Sequence, residues 1–120
     1  MLLILDQNFP KPVARALTGH TFKTAYDMGW ADLENGDLLT AAEAAGFDLM
    51  LTADKRIRYQ QNLVRRMISL VVTSLNSRTV LLRHLGLVQA AVDRATPGSY
   101  EEVEVPAPTL FRNRWPKPPP

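Results

Sequence analysis

Asp6, Asp37 and Asp54 each stand at a junction between an apolar run and the next segment. Asp6 follows Leu2-Leu3-Ile4-Leu5, Asp37 opens the largely apolar stretch to Ala45, and Asp54 comes just after Leu49-Met50-Leu51-Thr52. Carboxylate oxygens are the ligands a hard divalent cation takes, and a cation held among them acidifies a water and offsets charge on a phosphate. A parallel α/β sheet lays the carboxyl ends of its strands along one edge, so acids distant in sequence can converge there. Carboxylates more than about 8 Å apart cannot share one ion at ordinary ligand distances. The chemistry these residues point to is therefore a metal centre, provided the fold brings them together.

The elements that must do so alternate along the chain. Leu2 to Leu5 is short and wholly apolar, as a strand buried on both faces should be. Pro10 or Pro12 suits the first turn of a helix running through Leu17 with Val13, Ala16 and Leu17 inward, and Gly19 ends it. Thr21 to Ala25 reads as a second strand and Asp27 to Gly36 as a polar loop carrying Trp30. Asn35 is placed to cap a helix from about Asp37 to Ala45, which Gly46 stops. Leu49 to Thr52 is the third strand, and Ile57 to Arg66 has the spacing of a short helix. The β-branched run Met67 to Thr73 is a fourth strand. Asn76 or Ser77 caps a long helix from about Val80 to Ala95, broken by Pro97-Gly98. Tyr100 to Val105 alternates valine with glutamate, like an edge strand. The resulting order, βαβαβαβαβ, predicts a mainly parallel sheet covered by helices on both faces, a three-layer α/β/α sandwich.

At 120 residues the chain is long enough for one domain with a sizeable core, here 1–105, and a proline-rich basic tail, 106–120. Apolar content of 46% and charged content of 22% are those of a globular domain and set it apart from a disordered chain. No apolar run reaches the roughly 20 residues that cross a bilayer, and Met1 to Leu5 has no basic leader, so neither a membrane span nor a secretory signal is expected. Without cysteine there is no disulfide or thiolate site. A cytoplasmic location fits these features. The net charge of +2 hides a division: residues 1–54 carry eight acids against Lys11, Arg15 and Lys23, whereas 55–92 carry seven bases and no acid. Such polarity suits a cation held by carboxylates beside guanidinium groups that steer in a polyanion, and it equally suits solvated helix faces.

The segments "LLILDQNFPKPVARAL" and "NGDLLTAAEAAGFDLMLTADKRIRYQQNL" resemble the short PIN-like domains grouped with VapC-type toxin nucleases. In that family a strand ends in Asp and is followed by Pro and a helix, an acid opens the next helix, and a later strand ends in Thr-x-Asp. The likeness covers about residues 1–75. It implies a PIN-like fold and a metal-dependent endoribonuclease using Mg²⁺ or Mn²⁺. Asp6, Asp37 and Asp54 would then be catalytic and metal-binding, with Asn8, Thr52 and Asn76 holding them in place and Arg56, Arg58 and Tyr59 touching substrate. RNA is the implied substrate, and an antitoxin protein and a second copy of the chain are the implied partners. The fourth acid that active members carry after the fourth strand is replaced here by Thr73-Ser74-Leu75-Asn76, and Asn76 offers an oxygen without charge. The alternative that follows is a catalytically weak or inactive PIN-like binding module acting through a partner protein.

Structural roles stay open for each acid. Asp6 can cap a helix, Asp37 can favour a helix dipole and Asp54 can close an Asx turn. Glu43, about 600° round the helix from Asp37, is expected on the surface. His20 and His84 lack ligand spacing, so packing or surface positions are expected for both. Tyr59 to Asn62 suits base stacking or plain helix packing, and Trp30 suits a partner surface or the core. Receivers and aspartyl phosphatases also place aspartates at strand ends. A receiver needs adjacent acids where Gln7 follows Asp6, and a phosphatase needs a second Asp at Asn8.

Overall fold

The computed structural model describes residues 1–57 and 66–106. Arg58, Tyr59, most of the helix expected between Ile57 and Arg66, and nearly all of the basic tail lie outside them. Five strands, β1 (Leu2–Leu5), β2 (Thr21–Thr24), β3 (Leu49–Thr52), β4 (Ser69–Thr73) and β5 (Tyr100–Val103), form one sheet in the order β2-β1-β3-β4-β5. Every pairing is parallel. Registers such as Leu5 with both Thr24 and Leu51, and Thr52 with Val72, set the carboxyl ends of the strands side by side.

Strand periodicity of two divides the apolar residues between the faces. Leu3, Leu5, Leu49, Leu51 and Val71 pack on one face against α1 (Lys11–Ala16), α3 (Arg78–Arg83) and α4 (Leu85–Asp93), through Val13, Ala14, Val80, Leu81, Val88, Ala91 and Val92. Ile4, Met50, Leu70 and Val72 pack on the other against Leu38, Leu39 and Ala42 of α2 (Asn35–Ala44). The expected three-layer α/β/α arrangement is thus present, with a sheet that is wholly parallel. Both faces of β3 and β4 are covered, which is why Leu49-Met50-Leu51 and Leu70-Val71-Val72 run on without polar alternation.

Several boundaries differ from the sequence expectation. The long helix is two: α3 begins at Arg78, with the Ser77 hydroxyl accepting from the Val80 amide, and the chain leaves helical geometry at His84 (φ −117°, ψ 31°) before α4. Gly86, a poor helix former, follows directly. Both segments bury their apolar residues in the same core, so apolar spacing alone carries no sign of the break. α2 starts two residues early, with Glu34 at its N-cap and Asn35 already helical. β2 stops at Thr24, β4 starts at Ser69 because Met67 is exposed, and β5 ends at Val103, after which the Val105 amide donates to the Ser74 hydroxyl. In α1 the inward residue is Ala14 in place of Ala16.

The lone side chains also find places. Glu43 is half-buried, accepting from the Met67 amide and pairing with Arg66 at 3.7 Å. Trp30 folds back on the core, edge-on to Phe47 at 5.9 Å. His20, before β2 at the amino edge of the sheet, bonds Asp93 at 2.7 Å and the terminal ammonium at 3.0 Å. Pro97-Gly98 turns the chain into β5 with Gly98 at φ +78°, where a Cβ would meet the Arg66 carbonyl oxygen at 2.7 Å.

The two-faced core predicts a position-dependent cost of truncation. Leu51→Ala, at a fully buried centre-strand site, should lower unfolding free energy in urea by about 2–5 kcal/mol. Leu82→Ala, on the exposed side of α3, should change it by less than about 0.5 kcal/mol. Equal losses at the two sites would contradict this arrangement of the core.

Candidate functional site

In the strand order, β1 lies between β2 and β3, so the chain leaves β1 for one side and later returns to the other. That point is a topological switch, where the loops after adjacent strands part and leave a crevice. Asp6 directly follows β1, and Asp54 follows β3 by two residues. Both line one cleft of about 310 Å³ with Gln7, Asn8, Glu34, Asn35 and Arg56.

A buried hydroxyl fixes the two aspartates relative to each other. Thr52, the last residue of β3 and fully buried, donates from Oγ1 to Asp6 Oδ2 at 2.7 Å and accepts from the Asp54 amide at 3.0 Å. The Gln7 amide donates to Asp6 Oδ1 at 2.8 Å, and the Asp6 amide donates to the Leu51 carbonyl at 3.1 Å. The Gln7 side chain also donates to the Ala31 carbonyl at 2.5 Å, drawing the loop before α2 toward the end of β1. That loop delivers Glu34 and Asn35 to the cleft.

Asp54 is the more heavily bonded carboxylate. Its Oδ1 accepts from the Arg56 amide and from Arg56 Nε, both at 3.0 Å; its Oδ2 accepts from Arg56 Nη2 at 2.9 Å and from Asn35 Nδ2 at 3.3 Å. The guanidinium thus grips the carboxylate with both prongs of its fork. Its side chain is 76% exposed, against 12% for Asp54. Hydrogen bonding from the guanidinium is the main cause that brings the Asp54 carboxyl down from 3.8 to about 2. Burial opposes this, and the Arg56 amide, the Asn35 amide group and the Arg56 charge add to it.

Of the residues singled out in the sequence, Asp6, Asp54, Asn8 and Arg56 meet in this cleft, and Thr52 lies beneath it. Asp37 does not line it: it is exposed in the first turn of α2, where a carboxylate favours the helix dipole. The acid that α2 brings to the cleft is Glu34, three residues earlier. Its signal in the sequence is an acid directly before Asn35-Gly36, which a helix start near Asp37 leaves in the loop. Asn76 is exposed in the turn after β4 and is not part of the cleft lining.

The donors facing the cleft are carboxylate and amide oxygens, the set a hard divalent cation prefers. Among the described residues no group of three or more acidic or histidine side chains is gathered closely enough to hold an ion by itself. Mg²⁺ does not need such a cage, because it keeps several waters and is often held by one or two carboxylates together with substrate phosphate. Asp6 and Asp54, with Glu34 and Asn8 at hand, fit that mode of binding.

Two outcomes test the geometry. The Asp54 carboxyl, charged in its bonded state, stabilises the fold in full above pH 3.8, and this contribution is lost as the pH falls toward 2. A carboxyl-detected NMR titration should therefore place Asp54 near 2 and return it toward 3.8 in Arg56→Gln; an unmoved midpoint would contradict the assigned cause. Thr52→Val strips the shared hydroxyl while keeping side-chain shape, and should cost about 1–3 kcal/mol in urea unfolding, most of it restored in Thr52→Ser.

A comparison of the chain with protein-family models, with curated proteins and with solved structures finds no match.

Proposed function

We propose that the chain is a metal-dependent ribonuclease of the PIN-like class, with Asp6 and Asp54 as its acidic centre and Glu34 beside them. The observation that carries this reading is the pairing of Asp6 and Asp54 through the Thr52 hydroxyl, at the switch point of a parallel sheet and in an open cleft. The toxin role and the antitoxin partner rest on the resemblance of residues 1–75 alone, as does pairing with a second copy of the chain. Among the described residues no helix is long and apolar enough to cross a membrane.

Asp6 and Asp54 would hold Mg²⁺ or Mn²⁺, with Glu34 and Asn8 as further oxygen donors. A bound divalent ion supplies a water of lowered pKa and positive charge beside the scissile phosphate. The chain's own residues supply the rest. Thr52 ties the Asp6 carboxylate to the Asp54 backbone, Gln7 holds the loop that carries Glu34, and Arg56 places a guanidinium at the cleft, the group best shaped for a phosphate.

One observation favours a second reading, a binding module with little catalysis: Arg56 engages both oxygens of Asp54, leaving the cleft already neutralised in part. The two readings separate in one assay. Labelled single-stranded RNA incubated with Mg²⁺ or Mn²⁺ should be cut by the wild type and at least about 100-fold more slowly by Asp6→Asn and Asp54→Asn, the scale of losing a main electrostatic group. Equal rates in all three would remove the nuclease assignment. A co-purifying small protein without metal-dependent cleavage would support the binding module.

A further inference from the structure

We propose that Arg56 is a built-in counter-cation of the cleft, which a divalent metal ion must displace from Asp54 before it can bind. The inference rests on reading the cleft as a metal centre and adds to it the control of metal entry.

An ionised carboxylate has about four lone-pair sites. Asp54 uses four: the Arg56 amide and Nε on Oδ1, and Arg56 Nη2 and Asn35 Nδ2 on Oδ2. Among the described residues, Asp6 accepts from Thr52 and the Gln7 amide, one bond to each oxygen. The two aspartates are therefore unequal. Asp6 can take a ligand as it stands, whereas Asp54 must first lose a donor. The Arg56 amide is fixed by the backbone turn, and Asn35 is anchored in α2. The guanidinium, on a side chain that is 76% exposed, is the donor that can leave without disturbing the packing. It also lines the same cleft as Glu34, Asp6 and Asp54, the three carboxylates that would draw a cation there. Metal ion and guanidinium thus compete for the same oxygens and the same field. The sequence places them in competition by setting Arg two residues after Asp, a spacing that lets both the amide and the side chain of Arg56 return to the carboxylate.

The test measures Mn²⁺ binding to the full chain without RNA, by the electron paramagnetic resonance of the free ion, so that it does not depend on catalysis. Arg56→Gln should bind Mn²⁺ about two- to fivefold more tightly than wild type, the ratio that corresponds to releasing one exposed carboxylate–guanidinium pair. Arg56→Lys, which keeps the charge but not the fork, should fall between them, and Asp54→Asn should lose most of the binding. A single cooperative thermal unfolding transition in Arg56→Gln, at a midpoint lowered by loss of the pair, confirms that the variant is folded. Unchanged or weaker binding in Arg56→Gln, with binding still lost in Asp54→Asn, would overturn the displacement while leaving the metal centre standing. No bound Mn²⁺ in either wild type or Arg56→Gln would overturn both.

Discussion

The hydroxyl of Thr52 is the smallest group in the candidate site and the one its geometry depends on. It has one proton to give and lone pairs to receive with, and it uses both: the proton goes to Asp6 and a lone pair to the amide that precedes the Asp54 side chain. Because Thr52 is fully buried at the end of β3, neither bond is readily exchanged for water, and an unpaired hydroxyl there would be costly. The bond also requires β1 and β3 to be neighbours in parallel register, which the Leu5–Leu51 pairing provides. The sheet order, the register and the hydroxyl together turn two aspartates 48 positions apart into one acidic site.

Electrostatics then sets what that site can do. Asp6, Asp54 and Glu34 face one cleft, and concentrated negative charge is stable there only with a compensating cation. The chain provides its own in Arg56, whose hydrogen bonds bring the Asp54 carboxyl down from 3.8 to about 2. A site arranged in this way masks one of its carboxylates with a guanidinium while Asp6 stays bonded to Thr52 and the Gln7 amide. Function would then depend on exchanging one positive charge for another, a guanidinium for a metal ion, and not on creating charge in the cleft.

The fold was largely legible in the sequence because burial on both faces writes itself plainly. Leu2 to Leu5, Leu49 to Leu51 and Leu70 to Val72 are unbroken apolar runs, as central parallel strands buried on both faces require. What the sequence hid was local. The break at His84 left no trace in the apolar spacing, since Val80 and Leu81 before it and Val88 and Val92 after it are buried in the same core. The start of α2 was misplaced because Asn35 is a favoured capping residue, yet Glu34 takes the cap position with no side-chain bond of its own. That two-residue shift decided which acid was expected at the cleft, Asp37 or Glu34. Thr52 was named as a supporting residue by the family resemblance, but its two hydrogen bonds, to the Asp6 carboxylate and the Asp54 amide, follow only from strand order. The grip of Arg56 on Asp54 follows only from coordinates, since a guanidinium two residues from a carboxylate can as well point to solvent.

The central claim, that Asp6 and Asp54 form one cation site across the β1–β3 switch point, is tested most directly by anomalous diffraction from a crystal soaked in Mn²⁺. The account predicts an anomalous peak within about 2.0–2.3 Å of a carboxylate oxygen of each aspartate, with the Arg56 guanidinium moved off Asp54. A peak bound to only one of the two aspartates, or an ion bound elsewhere with the Arg56–Asp54 pair intact, would contradict it.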